Sequence, residues 1–158
     1  MIVRKFLKED IEDVFRVQQV SYKPLFERYQ DTETNPYMES KEVVLEKYTK
    51  VGTQGYVFIE DNRIVGAVRI IRYEECCKIA ALAVLPEYQN QGIAQAALKE
   101  IEKLHSDCKC WILDTLLEEK GNCYLYEKLG YVRVGEPRRI NERLTLIDYR
   151  KEVGGVEI

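Results

Sequence analysis

Between Tyr56 and Leu85 three β-rich segments follow one another with barely a break: Tyr56–Glu60, Arg63–Tyr73 and Lys78–Leu85. Asp61–Asn62 between the first two is a strong hairpin signal, because both residue types tolerate the left-handed backbone of a two-residue turn. Pro86 stops the third run. Upstream, Ile2–Phe6 reads as a short strand, and Ile11, Val14, Phe15 and Gln18/Gln19 fall at helical spacings over Asp10–Ser21. Tyr22–Glu39, with Pro24 and Pro36, reads as irregular, and Ser40 is suited to cap a helix reaching about Lys50. Downstream, Gly92–Leu104 carries Ile93, Ala97, Ile101 and Leu104 on one helical face. Cys110–Leu116 reads as a strand, Asn122–Leu129 as a short helix closed by Gly130, and Tyr131–Gly135 and Leu144–Arg150 as strands. The order β-α-α-β-β-β-α-β-α-β-β predicts a mixed sheet with helices on its faces, an α/β (α+β) domain.

The 158 residues suit a single domain over 1–158 with a core large enough to need no staples. Lys plus Arg is 24 and Asp plus Glu is 27, a net charge of −3, which lacks the basic excess of a general nucleic-acid binder. No apolar run approaches the roughly 20 residues of a membrane span, and no apolar block of a secretory signal follows Met1. The expectation is a cytoplasmic protein with no nucleic-acid or membrane partner. Cys76, Cys77, Cys108, Cys110 and Cys123 include no CxxC and fit no familiar disulfide scaffold, so they read as buried or incidental thiols. A metal site from His105, Cys108 and Cys110 is the sharper alternative; the reading adopted is no metal. His105 is the sole histidine, which excludes a multi-histidine centre.

The segment Leu82-Ala-Val-Leu-Pro-Glu-Tyr-Gln-Asn-Gln-Gly-Ile-Ala-Gln-Ala-Ala-Leu98 carries the chemistry. An apolar strand ends at Pro86, a polar turn follows, and Gly92 opens a helix whose first amides lack partners. Gly92 lets a ligand approach the backbone closely, and a pyrophosphate suits such a place. The segment is neither a P-loop nor a dinucleotide fingerprint, because GxxxxGK[ST] and GxGxxG are both absent.

Gln89-Asn-Gln-Gly-Ile-Ala94 resembles the [RQ]-x-x-G-x-[GA] signature of the GNAT superfamily of N-acetyltransferases. Tyr124-Leu-Tyr-Glu-Lys-Leu-Gly-Tyr-Val-Arg-Val-Gly135 is similar to a second segment of that family, (F/L)YEK-x-GF. The resemblance implies a mostly antiparallel central sheet with helices on both faces and splayed fourth and fifth strands. It implies acetyl-CoA as co-substrate, its pyrophosphate held by Gln89, Asn90, Gln91, Gly92, Ile93, Ala94 and Gln95, and its pantetheine arm lying along Leu82, Ala83 and Val84. Tyr126 falls on the family's general acid, which serves the departing sulfur. Reference pKa values of about 10 for a phenol and about 8.5 for a thiol make full proton transfer uphill by about 2 kcal/mol, a gap the surroundings are expected to close. Asn122, four residues earlier on the same helix face, is placed to cap that helix, to touch the cofactor, or both.

Two positions depart from the family pattern. Glu119 stands where many relatives carry a cofactor-binding Asn, and Lys78 stands where some carry a glutamate base. An alkyl amine is unprotonated only about once in 2,500 molecules at pH 7, so a base is useful. Glu74 or Glu75, just before the fourth strand, is the candidate for a water-mediated one. The implied activity is acetyl transfer from acetyl-CoA to a primary amine by direct attack; the alternative is a non-catalytic acyl-CoA-binding or sensor module. Tyr22, Phe26, Tyr29 and Tyr37, interleaved with Glu27, Asp31, Glu33 and Glu39, suit a cationic acceptor, whether a small molecule or a peptide or protein amine. The oligomeric state is open between monomer and homodimer.

Overall fold

Asp61 and Asn62 both take positive φ, 53° and 61°, and their turn joins β2 (Thr53–Glu60) to β3 (Arg63–Tyr73) in antiparallel register. The computed structural model describes residues 1–153. β1 (Ile2–Lys5), β4 (Cys76–Val84), β5 (Cys110–Leu116), β6 (Val132–Asn141) and β7 (Leu144–Glu152) complete a seven-stranded sheet of order β1-β2-β3-β4-β5-β7-β6. Its pairings are antiparallel except β4–β5, where the chain crosses over through a helix, the connection a parallel pair requires. The fold is thus the mixed α/β architecture expected, with its parallel pair at the fourth and fifth strands.

α1 (Ile11–Tyr29) corrects the sequence reading, which ended this helix at Ser21. Pro24 lies inside it, and an internal proline costs about 3 kcal/mol through its missing N–H and its ring. Anchors at both sides of Pro24 offset that cost: the Tyr22 hydroxyl donates to Leu82 O at 2.6 Å, and the Tyr29 hydroxyl donates to Glu119 at 2.5 Å. Gln30 in left-handed conformation then ends the helix. α2 (Lys41–Tyr48) starts as expected, with the Ser40 side chain accepting from Val43 N–H. α3 (Ile93–Leu104) matches its periodicity. α4 (Lys120–Lys128) begins two residues before the expected Asn122. β6 runs well beyond the expected Gly135 and includes Pro137; this is tolerated because β6 is an edge strand and its pairing lapses between Val134 and Arg138.

Strand alternation assigns the layers. A Cβ on Gly55 would come within 2.8 Å of Tyr48 Cε2, so Gly55 faces α2. Tyr56 points the other way, and its hydroxyl meets His105 at the end of α3, so α2 and α3 cover opposite faces. The core fills both sides: Val14, Val17 and Val57 on one and Leu98, Ile101 and Trp111 on the other have no exposed surface. Gly55→Ala, which drives a methyl into the Tyr48 ring, is expected to cost about 1–3 kcal/mol, read as a lower urea midpoint at unchanged slope. No helix among the described residues is long and apolar enough to cross a membrane.

The cysteines are not incidental. β4 and β5 bring Cys76 opposite Cys110 and Cys77 near Cys108, with Cα separations of 4.5 and 6.2 Å, inside the range a disulfide spans. Cys123 is buried apart from them.

Candidate active site

β4 and β5 pair only at Cys76/Cys110, Cys77/Trp111 and Lys78/Ile112, and beyond that point the two strands part. The gap between them, closed by α1, α3 and α4, is a cleft of 720 Å³, ample for a small-molecule site.

β4 carries an irregularity here. Arg69 faces Ala80 while Ala67 faces Ala83, so two β4 residues stand opposite Val68 alone, and Ala81 takes φ 53°. Such a bulge bends its strand and re-aims its backbone groups, and a non-glycine residue held left-handed costs about 1–3 kcal/mol, characteristic of functional sites. Leu85 N–H bonds Val65 O on the β3 side, so by alternation Leu82 and Val84 turn their backbone toward the gap. Their carbonyls there accept from the Tyr22 hydroxyl, the Ser21 hydroxyl and the Gln89 side-chain amide. α1 thus braces the open edge of β4 through two hydroxyls.

The opposite wall is the start of α3. Gly92, its N-cap at φ 79°, makes no side-chain cap, and the first helical bond runs from Ala96 N–H to Gly92 O. The amides of Ile93, Ala94 and Gln95 are left without helical acceptors. A Cβ on Gly92 would meet nothing within 4 Å among the described residues. Asn90, also left-handed, turns the preceding loop.

α4 supplies Tyr126. Its ring is 6% exposed and packs against Tyr131 and Tyr149 at 5.9 and 6.1 Å between centroids. Among the described residues its hydroxyl has no hydrogen-bond partner, yet no fully buried side-chain oxygen lacks one, so this hydroxyl opens to the cleft. Tyr22, Tyr29 and Tyr88, which also line the cleft, all commit theirs. Burial pushes the Tyr126 phenol well above its usual range, with smaller contributions from Tyr22 and Asp114. The surroundings therefore widen the gap to a thiol's pKa, where the sequence reading expected them to close it.

Of the residues expected in the site, Leu82, Ala83, Val84, Gln89, Asn90, Gly92, Ile93, Ala94, Gln95, Asn122 and Tyr126 line the cleft. Gln91 does not; its side chain bonds Glu87 O and braces the loop. Asn122 does not cap α4, because it is already the third helical residue and Glu119 holds the N-cap position. Glu119 is committed to Tyr29 and to Arg28 at 2.6 Å, tying α1 to α4. Glu74 and Glu75 form the exposed β3–β4 turn, outside the cleft lining. Four residue steps of extended strand, about 13 Å, separate Glu75 from Ile79, the first β4 residue in that lining. Asp31 lines the cleft but accepts from the amides of Glu33 and Thr34, and Glu39 is held by Gln18 and Lys47.

Asp31, Glu119 and Asp114 all line the cleft; the one on the strand facing β4 across the gap is Asp114. Asp114 on β5 lies 3.8 Å from Lys78 Nζ and 3.4 Å from Arg138, just where the strands part, and stays 35% exposed. Its signal in the sequence was slight, one acid in an apolar strand.

Residues 22–131 match the model of the Acetyltransferase (GNAT) family, and the chain belongs to that family. It is 32% identical over 110 residues to the uncharacterized protein YrkN of Bacillus subtilis (strain 168), a match covering 68% of this chain. The chain spans 59% of the length of that relative. Its fold is similar to that of the ribosomal-protein-S18-alanine N-acetyltransferase of Escherichia coli, with TM-score 0.81 at 15% identity over 99% of this chain and 96% of that one. It is also similar to the spermidine N-acetyltransferase of Vibrio cholerae in complex with CoA and spermine, with TM-score 0.74 at 17% identity over 96% and 94%.

Proposed function

We propose that this chain, acting as one catalytic domain, is an N-acetyltransferase that moves acetyl from acetyl-CoA to a primary amine by direct attack. The observation that carries the reading is one cleft presenting both the open N-terminus of α3 and the free hydroxyl of Tyr126. The donor set suits a pyrophosphate: the amides of Ile93, Ala94 and Gln95 point outward, the helix dipole adds positive potential, and no side chain at position 92 stands in the way. Asn90 and the loop backbone from Gln89 continue that cradle, and Gln91 braces it from behind. Leu82, Ala83 and Val84 flank the pantetheine arm, with the backbone of Leu82 and Val84 turned to it. Asn122 lies beside the arm on α4. Bound there, acetyl-CoA supplies an activated acetyl thioester.

The chain's own residues do the rest. Tyr126 donates a hydrogen bond to the sulfur as negative charge develops there and stays a phenol throughout, as its raised pKa requires. Asp114, in the cleft between Lys78 and Arg138, replaces Glu74 and Glu75 as the candidate proton acceptor and takes the proton of the acceptor's ammonium form through water. The favoured acceptor is therefore a cationic amine, a class that includes the spermidine and the ribosomal-protein alanine for which two structural relatives are named.

Release of free CoA thiol from acetyl-CoA, measured against a panel of polyamines, amino acids and peptide N-termini, tests the activity. Turnover with any amine supports it; tight CoA binding with no turnover across the panel supports the acyl-CoA-binding module instead. Asp114→Asn is expected to lower kcat/KM about 10–100-fold with CoA affinity level. This is smaller than for a base in direct contact, because water intervenes. A kcat/KM equal to wild type across the acid range overturns the assignment.

A further inference from the structure

On the face of the sheet covered by α3, beside the short β4–β5 pairing, three ligand-type side chains converge. The Sγ atoms of Cys77 and Cys108 and a ring nitrogen of His105 all lie within 4.8 Å of one another. Cys77 comes from β4, Cys108 from the turn before β5, and His105 from the end of α3. The thiols are 0% and 2% exposed. The His105 ring is fixed from two sides, by its Nε2 against the Tyr56 hydroxyl at 2.8 Å and by edge contact with Trp111 at 5.9 Å. That leaves Nδ1 as the nitrogen for a ligand.

We propose that Cys77, Cys108 and His105 bind a single zinc-class divalent ion when a dithiol reductant has reduced the Cys77–Cys108 pair to thiols. Two thiolates and an imidazole are a zinc donor set; the two sulfurs are in disulfide contact in this structure and become ligands on reduction, which separates them to admit the ion. The charges close as well. The ion displaces two thiol protons to solvent, and Zn²⁺ with two thiolates and a neutral imidazole is a neutral unit, which a buried place tolerates far better than a bare charge. Tyr56 serves as the outer partner that orients a metal-bound imidazole through its other nitrogen. The fourth position belongs to water. Cys76 and Cys110 share the opposite face with Lys78 and Asp114, as strand alternation and the Lys78–Asp114 contact require, and do not reach the ion.

From the sequence alone, the metal alternative is a site from His105, Cys108 and Cys110. The fold replaces Cys110 with Cys77, a residue 31 positions before Cys108. The ion's place gives it a consequence. β4 and β5 pair over only three residues before they part, and an ion held by Cys77 and Cys108 clamps that short pairing at the base of the cleft.

Cobalt titration of the full chain, fully reduced and metal-stripped under anaerobic conditions, tests this. One equivalent of Co²⁺ is expected to give the ligand-field bands of a tetrahedral site together with a thiolate-to-cobalt charge-transfer band, both erased by stoichiometric Zn²⁺. Cys77→Ser and Cys108→Ser should each weaken uptake by more than 100-fold, and Cys76→Ser and Cys110→Ser should leave it unchanged. Should the serine variants fail to fold, the wild type decides alone: its Tm should rise with equimolar Zn²⁺ and fall with chelator. Reduced wild type that shows no thiolate band and no zinc-dependent Tm overturns the site. A band that persists when Cys77 and Cys108 are both serine overturns this ligand set. So does a band lost with Cys76→Ser or Cys110→Ser in folded protein.

Discussion

Tyr126→Phe is expected to lower turnover by about 10²–10⁴-fold, the range for a positioned acid–base group, while CoA affinity moves by less than about 1 kcal/mol. The substitution removes one oxygen and keeps the ring that packs against Tyr131 and Tyr149, and that oxygen has no partner among the described residues to strand. A neutral thioester gains little from the hydroxyl, whereas a sulfur becoming thiolate gains much, so the loss falls on kcat rather than on binding. Burial shapes the pH behaviour. A phenol raised above its usual value near 10 keeps its proton to higher pH, so wild-type kcat should show no descending limb from this group below about pH 10. The same shift makes complete proton transfer to a thiolate uphill by more than the roughly 2 kcal/mol between free phenol and thiol, which is why hydrogen-bond donation is the role assigned. Steady-state kinetics with an accepted amine, a CoA titration and a kcat–pH profile test all three statements. A fully active Tyr126→Phe enzyme, or a wild-type limb near pH 8 that vanishes in the variant, would overturn the assignment.

What could be read in the sequence and what could not divide along physical lines. β3 and β5 were legible to the residue because β-rich runs bounded by turn formers carry their own boundaries. The proposed cradle could be assembled from sequence because its chemistry belongs to the backbone of one continuous segment, Gln89 to Gln95, of which all but Gln91 line the cleft. The extension of α1 past Pro24 was not, because local propensity forbids it and only distant contacts, Tyr22 to β4 and Tyr29 to Glu119, outweigh the cost. The bulge at Ala81 left no trace either, since alanine is not a residue that signals a left-handed backbone. Asp114, the proposed proton acceptor, carries less sequence signal than Glu74 and Glu75, which are nearer the fourth strand in sequence but lie at its outer end. Strand direction, which sequence distance does not encode, separates a turn residue from a cleft residue. Cys77 and His105 likewise meet only through the β4–β5 register.

Gly92→Glu is expected to weaken CoA binding by about 100-fold, or about 2.7 kcal/mol, without unfolding the protein. Two opposed local effects leave stability nearly level. A side chain held at φ 79° is strained by about 1–2 kcal/mol. A carboxylate at an uncapped helix N-terminus recovers about 0.3–1 kcal/mol from the dipole, and the added atoms enter open space, since nothing among the described residues lies within 4 Å of the Cβ. Binding has no such offset. The new carboxylate competes for the amides of Ile93, Ala94 and Gln95 and sets negative charge against the pyrophosphate, so each contribution has the same sign. Gly92→Ala carries the backbone strain without the charge and should shift affinity less than tenfold, which separates the two causes. Calorimetric CoA titration of both variants, alongside urea unfolding, reads the outcome. The repulsive part should shrink as salt rises. A folded Gly92→Glu protein with wild-type CoA affinity would remove the α3 N-terminus from the cofactor site.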